Sequence, residues 1–158
     1  MTTTVEMPQA SPLAVRADRT CRAAVAEPPA QPCTWDLPHE SGSAGAARRM
    51  TRETLEDWGL EGDCVDRALV VVSELVTNAV EHALPPITLR LDPPAEQETI
   101  RLAVGDGGAA VRKGPWIASC SPDEHGRGCD IIDALTVTHG SRVDADRSTH
   151  WADLPLAG

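Results

Sequence analysis

The sequence predicts an α+β fold: a two-layer sandwich in which helices cover one face of a mixed, mostly antiparallel sheet. Two pairs of segments that alternate apolar and polar residues indicate β-hairpins, and two stretches with helical periodicity precede the first of them. The predicted order is strand, helix, helix, hairpin, loop, helix, hairpin. Helices interspersed with antiparallel strand pairs favour a sheet that carries its helices on one side.

Composition bounds the class of protein. The 158 residues suffice for one domain with a substantial core, and that core must be aliphatic because Phe and Tyr are absent. The net charge of −10 argues against a nucleic-acid backbone or an anionic membrane as the main partner. The sequence shows no signal peptide, no apolar run of ~20 residues and no Cys-x-x-Cys motif. We therefore expect a cytoplasmic protein with reduced thiols.

The N-terminal segment, residues 1–31, is rich in Pro, Ala and Thr and lacks sustained periodicity. This composition predicts a disordered or loosely attached arm, within which residues 14–26 could form a short helix. A partner-binding extension is the alternative interpretation. The folded domain is expected to comprise residues 32–158.

The first two elements follow the arm. Residues 33–37 alternate weakly and stop at a proline, which is typical of a short edge strand. A helix is predicted from residue 44 to about 58, with Ser41 or Ser43 as its N-cap. Gly59 follows the last turn, where a C-capping glycine is expected.

The second helix is the longest predicted element. Asp63 is expected to cap it, and it should run to about residue 83. Glu74, Asn78 and His82 are four residues apart and so lie along one face, while the interleaved apolar residues face the core. A carboxylate, an amide and an imidazole in line indicate a metal or phosphate site; the alternative is a solvated polar face.

Two hairpins supply four of the strands. Residues 87–91 and 99–104 alternate strictly around a turn that contains two prolines, and residues 136–143 and 149–154 form a second pair around a polar turn. These four segments, with the first strand, complete a five-stranded sheet.

The region between the hairpins carries the glycines. Residues 105–108 (Gly-Asp-Gly-Gly) end a strand, and the stretch 109–124 has no clear period. A loop of that length in a compact domain is usually functional, often a lid. Residues 126–128 (Gly-Arg-Gly) are expected to open a third helix from residue 129 to about 135. Amides at a helix N-terminus can bind phosphate oxygens, and Arg127 either adds charge there or points to solvent.

Three motifs in this order resemble the N, G1 and G2 boxes of the GHKL (Bergerat-fold) ATPase superfamily. They are Glu74-x-x-x-Asn78, Asp106-x-Gly108 and His125-Gly126-Arg127-Gly128. Together with Thr149-His-Trp-Ala-Asp-Leu, they look most like the small actinobacterial ATP-binding regulators that are related to anti-sigma factor serine kinases. The resemblance covers about residues 33–155 and implies the Bergerat ATP-binding fold with ATP and Mg²⁺ as cofactors.

The resemblance also implies roles for single residues. Asn78 would be the protein ligand of Mg²⁺, and Glu74 would be the general base. Asp106 would accept a hydrogen bond from the adenine amino group, with Gly108 allowing close approach and Thr149 joining the adenine-binding network. A tight turn explains the glycines beside Asp106 equally well, and Thr149 has an ordinary strand residue as its alternative.

The phosphate cradle is the third part of the implied site. Gly126, Arg127 and Gly128 would surround the triphosphate at the start of the third helix. Departures from the family pattern, such as Cys129 where Leu is usual and the missing glycine before Thr149, remove no ligand. They put turnover in more doubt than binding.

The function implied by the resemblance is that of an ATP/Mg²⁺-binding regulator and protein-serine kinase. Its partner would be an anti-anti-sigma-like protein phosphorylated on Ser, with a sigma factor as a further partner, and a homodimer stays open. The alternative is a non-catalytic nucleotide-binding module that acts through protein–protein binding. A detached histidine-kinase catalytic domain is disfavoured, because no predicted helical hairpin carries a phospho-acceptor His.

Overall fold

The structure is a computed structural model that describes residues 30–94, 98–110 and 122–157, the side chains of residues 122–127 excepted. The predicted arm, residues 1–31, lies outside the described residues except for its last two. Most of the predicted lid, residues 111–121, also lies outside them. The domain boundary at residue 32 therefore stays a prediction.

Five strands form one sheet in the order β1-β2-β3-β5-β4, and every pairing between the described strands is antiparallel. The α+β prediction is confirmed, with β1 at the predicted edge. The bounds are β1 Cys33–Leu37, β2 Ile87–Asp92, β3 Thr99–Asp106, β4 Thr138–Asp144 and β5 Arg147–Pro155.

Three helices complete the domain: α1 Ser43–Asp57, α2 Asp63–His82 and α3 Pro122–Leu135. Helix α2 packs on β2, β3 and β5, while α1 and α3 pack against α2 and reach β1 and β4 at the sheet edges. The core between the two layers is aliphatic, as the absence of Phe and Tyr predicts. Its fully buried members are Leu55, Val65, Val71, Val72, Val76, Ile87, Leu89, Leu91, Ile100, Leu102, Val104 and Leu154. No described helix is long and apolar enough to cross a membrane.

The predicted side-chain caps of α1 and α2 are wrong. Both N-cap positions are glycines, Gly42 and Gly62, and neither helix has a side-chain cap. Ser43 is already helical, and its hydroxyl donates to the Pro38 carbonyl instead. Asp63 is also inside its helix, where its carboxylate pairs with an arginine one turn further on. Gly62 has a φ of 70°, a conformation that favours glycine over a capping Asp.

The start of α3 is also corrected. The helix begins at Pro122, so residues 126–128 lie inside it and do not open it. Proline is favoured at the first helical position, since its missing N–H has no intrahelical partner there. The N–H groups of Gly126 and Gly128 therefore fall where intrahelical bonds form, and the predicted cradle of free N-terminal amides is absent from this stretch.

The sheet face away from the helices is closed by polar and aromatic contacts. Arg101 donates two hydrogen bonds to Asp153, of 2.7 and 2.8 Å, and its guanidinium lies 4.6 Å from the Trp151 ring centroid. Trp151 lies over Gly140, where an added Cβ would be 2.8 Å from the indole. The hydrogen bonds from Arg101 lower the pKa of Asp153 below its ordinary value.

Candidate functional site

The polar face of α2 meets the glycine of α3. Glu74 is half-buried and Asn78, one turn later, is exposed. A Cβ added to Gly128 would lie 3.0 Å from Glu74 Oε2 and 3.9 Å from Asn78 Nδ2. The structure thus brings together a carboxylate, an amide and a glycine from two of the predicted motifs, and a side chain at residue 128 would press on the Glu74 carboxylate.

The rest of the third motif is less informative. Gly126 and Arg127 belong to the backbone of α3, and their side-chain environment lies outside the described residues. Their predicted roles at the phosphates therefore stay predictions.

His82 ends α2, is 42% exposed and has its Nε2 3.6 Å from Glu81 Oε2. His82 thus lies one helical turn beyond Asn78, and its part in a metal or phosphate site stays a prediction.

Asp106 is the buried acid of the site. Its side chain is 2% exposed, and Oδ1 accepts a hydrogen bond of 2.8 Å from the Gly108 N–H. Gly108 has a φ of 90°, and an added Cβ on Gly107 would lie 2.2 Å from the Pro85 carbonyl oxygen. Both glycines are therefore required by the turn itself. A turn that holds a buried carboxylate in place is compatible with the predicted adenine contact.

The Asp106 turn is bonded to the end of α2 through backbone groups. Gly107 N–H donates to the Leu84 carbonyl at 2.7 Å, and Leu84 N–H donates to the Gly108 carbonyl at 2.8 Å. Ala110 N–H donates to the His82 carbonyl at 3.0 Å. The end of the helix that carries Glu74 and Asn78 and the turn that carries Asp106 are thus tied at fixed spacing.

The sheet register separates Thr149 from Asp106. Directly paired residues share a sheet face, and Asp106 pairs with Ser148, whereas Thr149 pairs with Gly105. Thr149 therefore points to the opposite face, where it lines a small pocket that Thr88, Asp106 and Ser148 also line. The predicted adenine role of Thr149 stays a prediction.

Ser148 is the residue that the sequence reasoning missed. It is 9% exposed and shares the helix-facing side of the sheet with Asp106. The signal was the parity of the strand: if Trp151 faces away from the core, residues 148 and 150 face toward it. His150, the next residue on that side, has its Nε2 3.5 Å from Asp106 Oδ2.

The donor set suits a hard cation only in combination with a ligand. Among the described residues, no group of three or more His, Cys, Asp or Glu side chains could hold a metal ion. Asn78 and Glu74 offer oxygens, which Mg²⁺ prefers, and Mg²⁺ is commonly held by one or two protein groups plus substrate phosphates. The residues present therefore fit a phosphate-bound Mg²⁺ and not an independent metal centre.

Comparisons with known proteins identify the family of the domain. Residues 37–149 match the family described as "Histidine kinase-like ATPase domain". Among solved structures, the chain is similar to the histidine kinase domain of the Erythrobacter litoralis EL346 blue-light activated histidine kinase, with 18% identity and a TM-score of 0.45. That similarity covers 72% of this chain and 65% of the solved one. No curated protein sequence matches.

Proposed function

Since this chain belongs to the family of histidine kinase-like ATPase domains, and that membership implies ATP binding, we propose that it is an ATP/Mg²⁺-dependent protein-serine kinase of the anti-sigma factor type. The observation that carries the proposal is the contact of Gly128 with Glu74 and Asn78, an added Cβ lying 3.0 and 3.9 Å from their side chains. The proposed general base, the proposed metal-binding amide and a glycine backbone are then neighbours across α2 and α3.

The chemistry divides among these residues. Mg²⁺, when bound with the nucleotide, supplies charge neutralisation at the phosphates. Asn78 is exposed and would hold it through the amide oxygen. Glu74, one turn away, would accept the proton of a serine hydroxyl as that oxygen bonds to the γ-phosphorus and ADP leaves. Asp106 would hold adenine in place by accepting a hydrogen bond from its amino group.

We infer a protein substrate from the resemblance of the motifs to those of partner-switching regulators. The partner would be an anti-anti-sigma-like protein with an acceptor Ser, and a sigma factor would be a second partner. A homodimer would be compatible with either role. The resemblance supports these partners, and the chain's own contacts support the nucleotide site.

A non-catalytic nucleotide-binding regulator is the second candidate, and one observation favours it. Because α3 begins at Pro122, the amides of residues 126–128 are engaged within the helix. Fewer free donors then face the transferred phosphoryl group, which would impair turnover more than binding.

Calorimetric titration with ATP, with and without Mg²⁺, tests the proposal. We expect Asn78→Ala to remove mainly the Mg²⁺-dependent part of the affinity and Asp106→Asn to weaken ATP in both conditions. Incubation with ATP and the cognate partner should yield phosphoserine with the wild type and none with Glu74→Gln. Glu53→Gln, an exposed carboxylate on α1, is the matched control and should behave as wild type. ATP binding without phosphoserine would leave only the second candidate.

A further inference from the structure

His150 stands beside the buried acid of the site. Its Nε2 lies 3.5 Å from Asp106 Oδ2, and the two side chains differ in burial, with the imidazole 45% exposed and the carboxylate 2% exposed. A separation of 3.5 Å exceeds the usual hydrogen-bond range. The imidazole is thus near the carboxylate without being held by it, and its outer part remains accessible.

The neighbourhood orients both groups. Asp106 Oδ1 already accepts the Gly108 N–H at 2.8 Å, so Oδ2 is the oxygen that faces His150. A neighbouring carboxylate favours the tautomer in which Nε2 carries the proton, because that nitrogen then points a donor at negative charge. Strand β5, which carries His150, is paired on both sides, to β3 and β4. The acceptor and the donor are therefore presented side by side from a fixed backbone.

The order of acceptor and donor in the Asp106–His150 pair matches adenine and not guanine. Adenine presents the N6 amino group as a donor and the adjacent N1 as an acceptor, whereas guanine presents O6 as an acceptor at the first of these positions and N1–H as a donor at the second. Asp106 Oδ2 can accept, and His150 can donate from Nε2 in the tautomer that the carboxylate favours. The pair is complementary to adenine and opposes guanine at both positions.

We propose that His150 is a base-specificity residue, which donates from Nε2 to adenine N1 while Asp106 Oδ2 accepts from the N6 amino group. This inference rests on the proposed binding of ATP and assigns its selectivity for adenine to two side chains on neighbouring strands. A polar pair of this kind discriminates strongly, because the wrong base leaves a buried group unpaired.

The experiment compares ATP with 1-deaza-ATP, which keeps the N6 amino group and replaces N1 by C–H. Affinities of both, and of GTP, are measured by calorimetry in Mg²⁺ for the wild type, His150→Ala and His150→Gln. We expect His150→Ala to weaken ATP by about five- to tenfold, the value of one net hydrogen bond, and to leave 1-deaza-ATP unchanged. The preference for ATP over GTP should fall as well. His150→Gln, whose amide can still donate, should recover most of the ATP affinity.

Two controls separate recognition from folding. His139 on β4 pairs with Asp133, so His139→Ala should leave every nucleotide affinity unchanged. Thermal unfolding of each variant reports any loss of structure. An equal loss of ATP and 1-deaza-ATP in His150→Ala would show a purely structural role and overturn the inference.

Three further outcomes are decisive. Tighter ATP binding by His150→Ala would show that the imidazole competes with the base for Asp106, and unchanged ATP binding would show that it takes no part; either overturns the inference alone. A wild type that binds no ATP would overturn the proposed function, and this inference with it.

Discussion

Gly128 of α3 lies so close to Glu74 of α2 that a Cβ atom on the glycine would be 3.0 Å from Glu74 Oε2. Contacts that short require the neighbouring group to move. The two residues belong to separate motifs of the sequence, and the fold joins them through the packing of α3 on α2. A side chain at residue 128 would therefore displace Glu74, the proposed general base.

Replacing that glycine provides the first prediction. Gly128→Ala should weaken Mg²⁺-ATP binding by about tenfold, or about 1.4 kcal/mol, because the added methyl group would displace the Glu74 carboxylate. Gly45→Ala in α1 is the matched helix control: its Cβ would be 3.7 Å from the nearest atom. It should raise the free energy of unfolding by about 0.5–1 kcal/mol and leave binding unchanged. Calorimetry and urea denaturation measure both quantities, and equal binding by the two variants would refute the prediction.

The sheet face away from the helices provides the second prediction. Gly140→Ala places a methyl group 2.8 Å from the Trp151 indole, and we expect a loss of about 1–3 kcal/mol in the free energy of unfolding. In a Trp151→Ala background the same substitution should cost little, because the indole is gone. Urea denaturation measures these costs. If the losses from Gly140→Ala and Trp151→Ala simply add in the double variant, the indole is not the source of the strain.

The Arg101–Asp153 pair predicts a pH dependence of stability. Hydrogen bonds from Arg101 hold the pKa of Asp153 below the ordinary 3.8. A carboxyl group whose folded pKa is depressed contributes stability above its unfolded pKa and loses it as the pH falls through the folded pKa. Arg101→Met should therefore lower the urea midpoint clearly at about pH 6 and progressively less toward about pH 3. A difference that stays constant with pH would assign the effect to the stacking of Arg101 on Trp151.

Two cysteines provide the fourth prediction. Burial raises the pKa of the Cys64 thiol, and protonated thiols are poor nucleophiles. Cys129, which follows Gly128, is exposed. Peptide mapping after iodoacetamide treatment should show Cys129 alkylated and Cys64 protected until the chain unfolds.

Nucleotide adds a second readout to that experiment. Mg²⁺-ATP should slow the labelling of Cys129 because of its position beside Gly128, and should leave that of half-buried Cys33 on β1 unchanged. Faster labelling of Cys64 than of Cys129 in the native protein would contradict the prediction.

The strands were predictable because the alternation of apolar and polar residues indicates which side chains face the core. Residues 33–37 match β1 at both ends, and β2 and β3 differ from their predicted segments only by added residues at their ends. The capping residues of α1 and α2 and the start of α3 were not, since they depend on the path of the chain. Gly62 enters α2 with a φ of 70°, and no side-chain pattern shows that conformation.

The site was predictable in its parts and not in its register. Glu74, Asn78 and Gly128, which belong to two of the three ordered motifs, lie beside one another. Whether residue 148 or 149 faces Asp106 depends on how β5 pairs with β3. A short polar strand end leaves that pairing undetermined, because a shift of one residue exchanges the two faces.

The backbone bonds between the Asp106 turn and the exit of α2 give the pocket two halves of unequal stiffness. Gly107 and Ala110 are bonded to the α2 end by main-chain groups, and among substitutions only proline would remove those N–H donors. Helix α3, by contrast, has glycines at 126 and 128 in its interior, each lowering helix stability by about 1 kcal/mol. In the proposed complex, adenine would thus meet the more rigid half of the site and the phosphates the more deformable one.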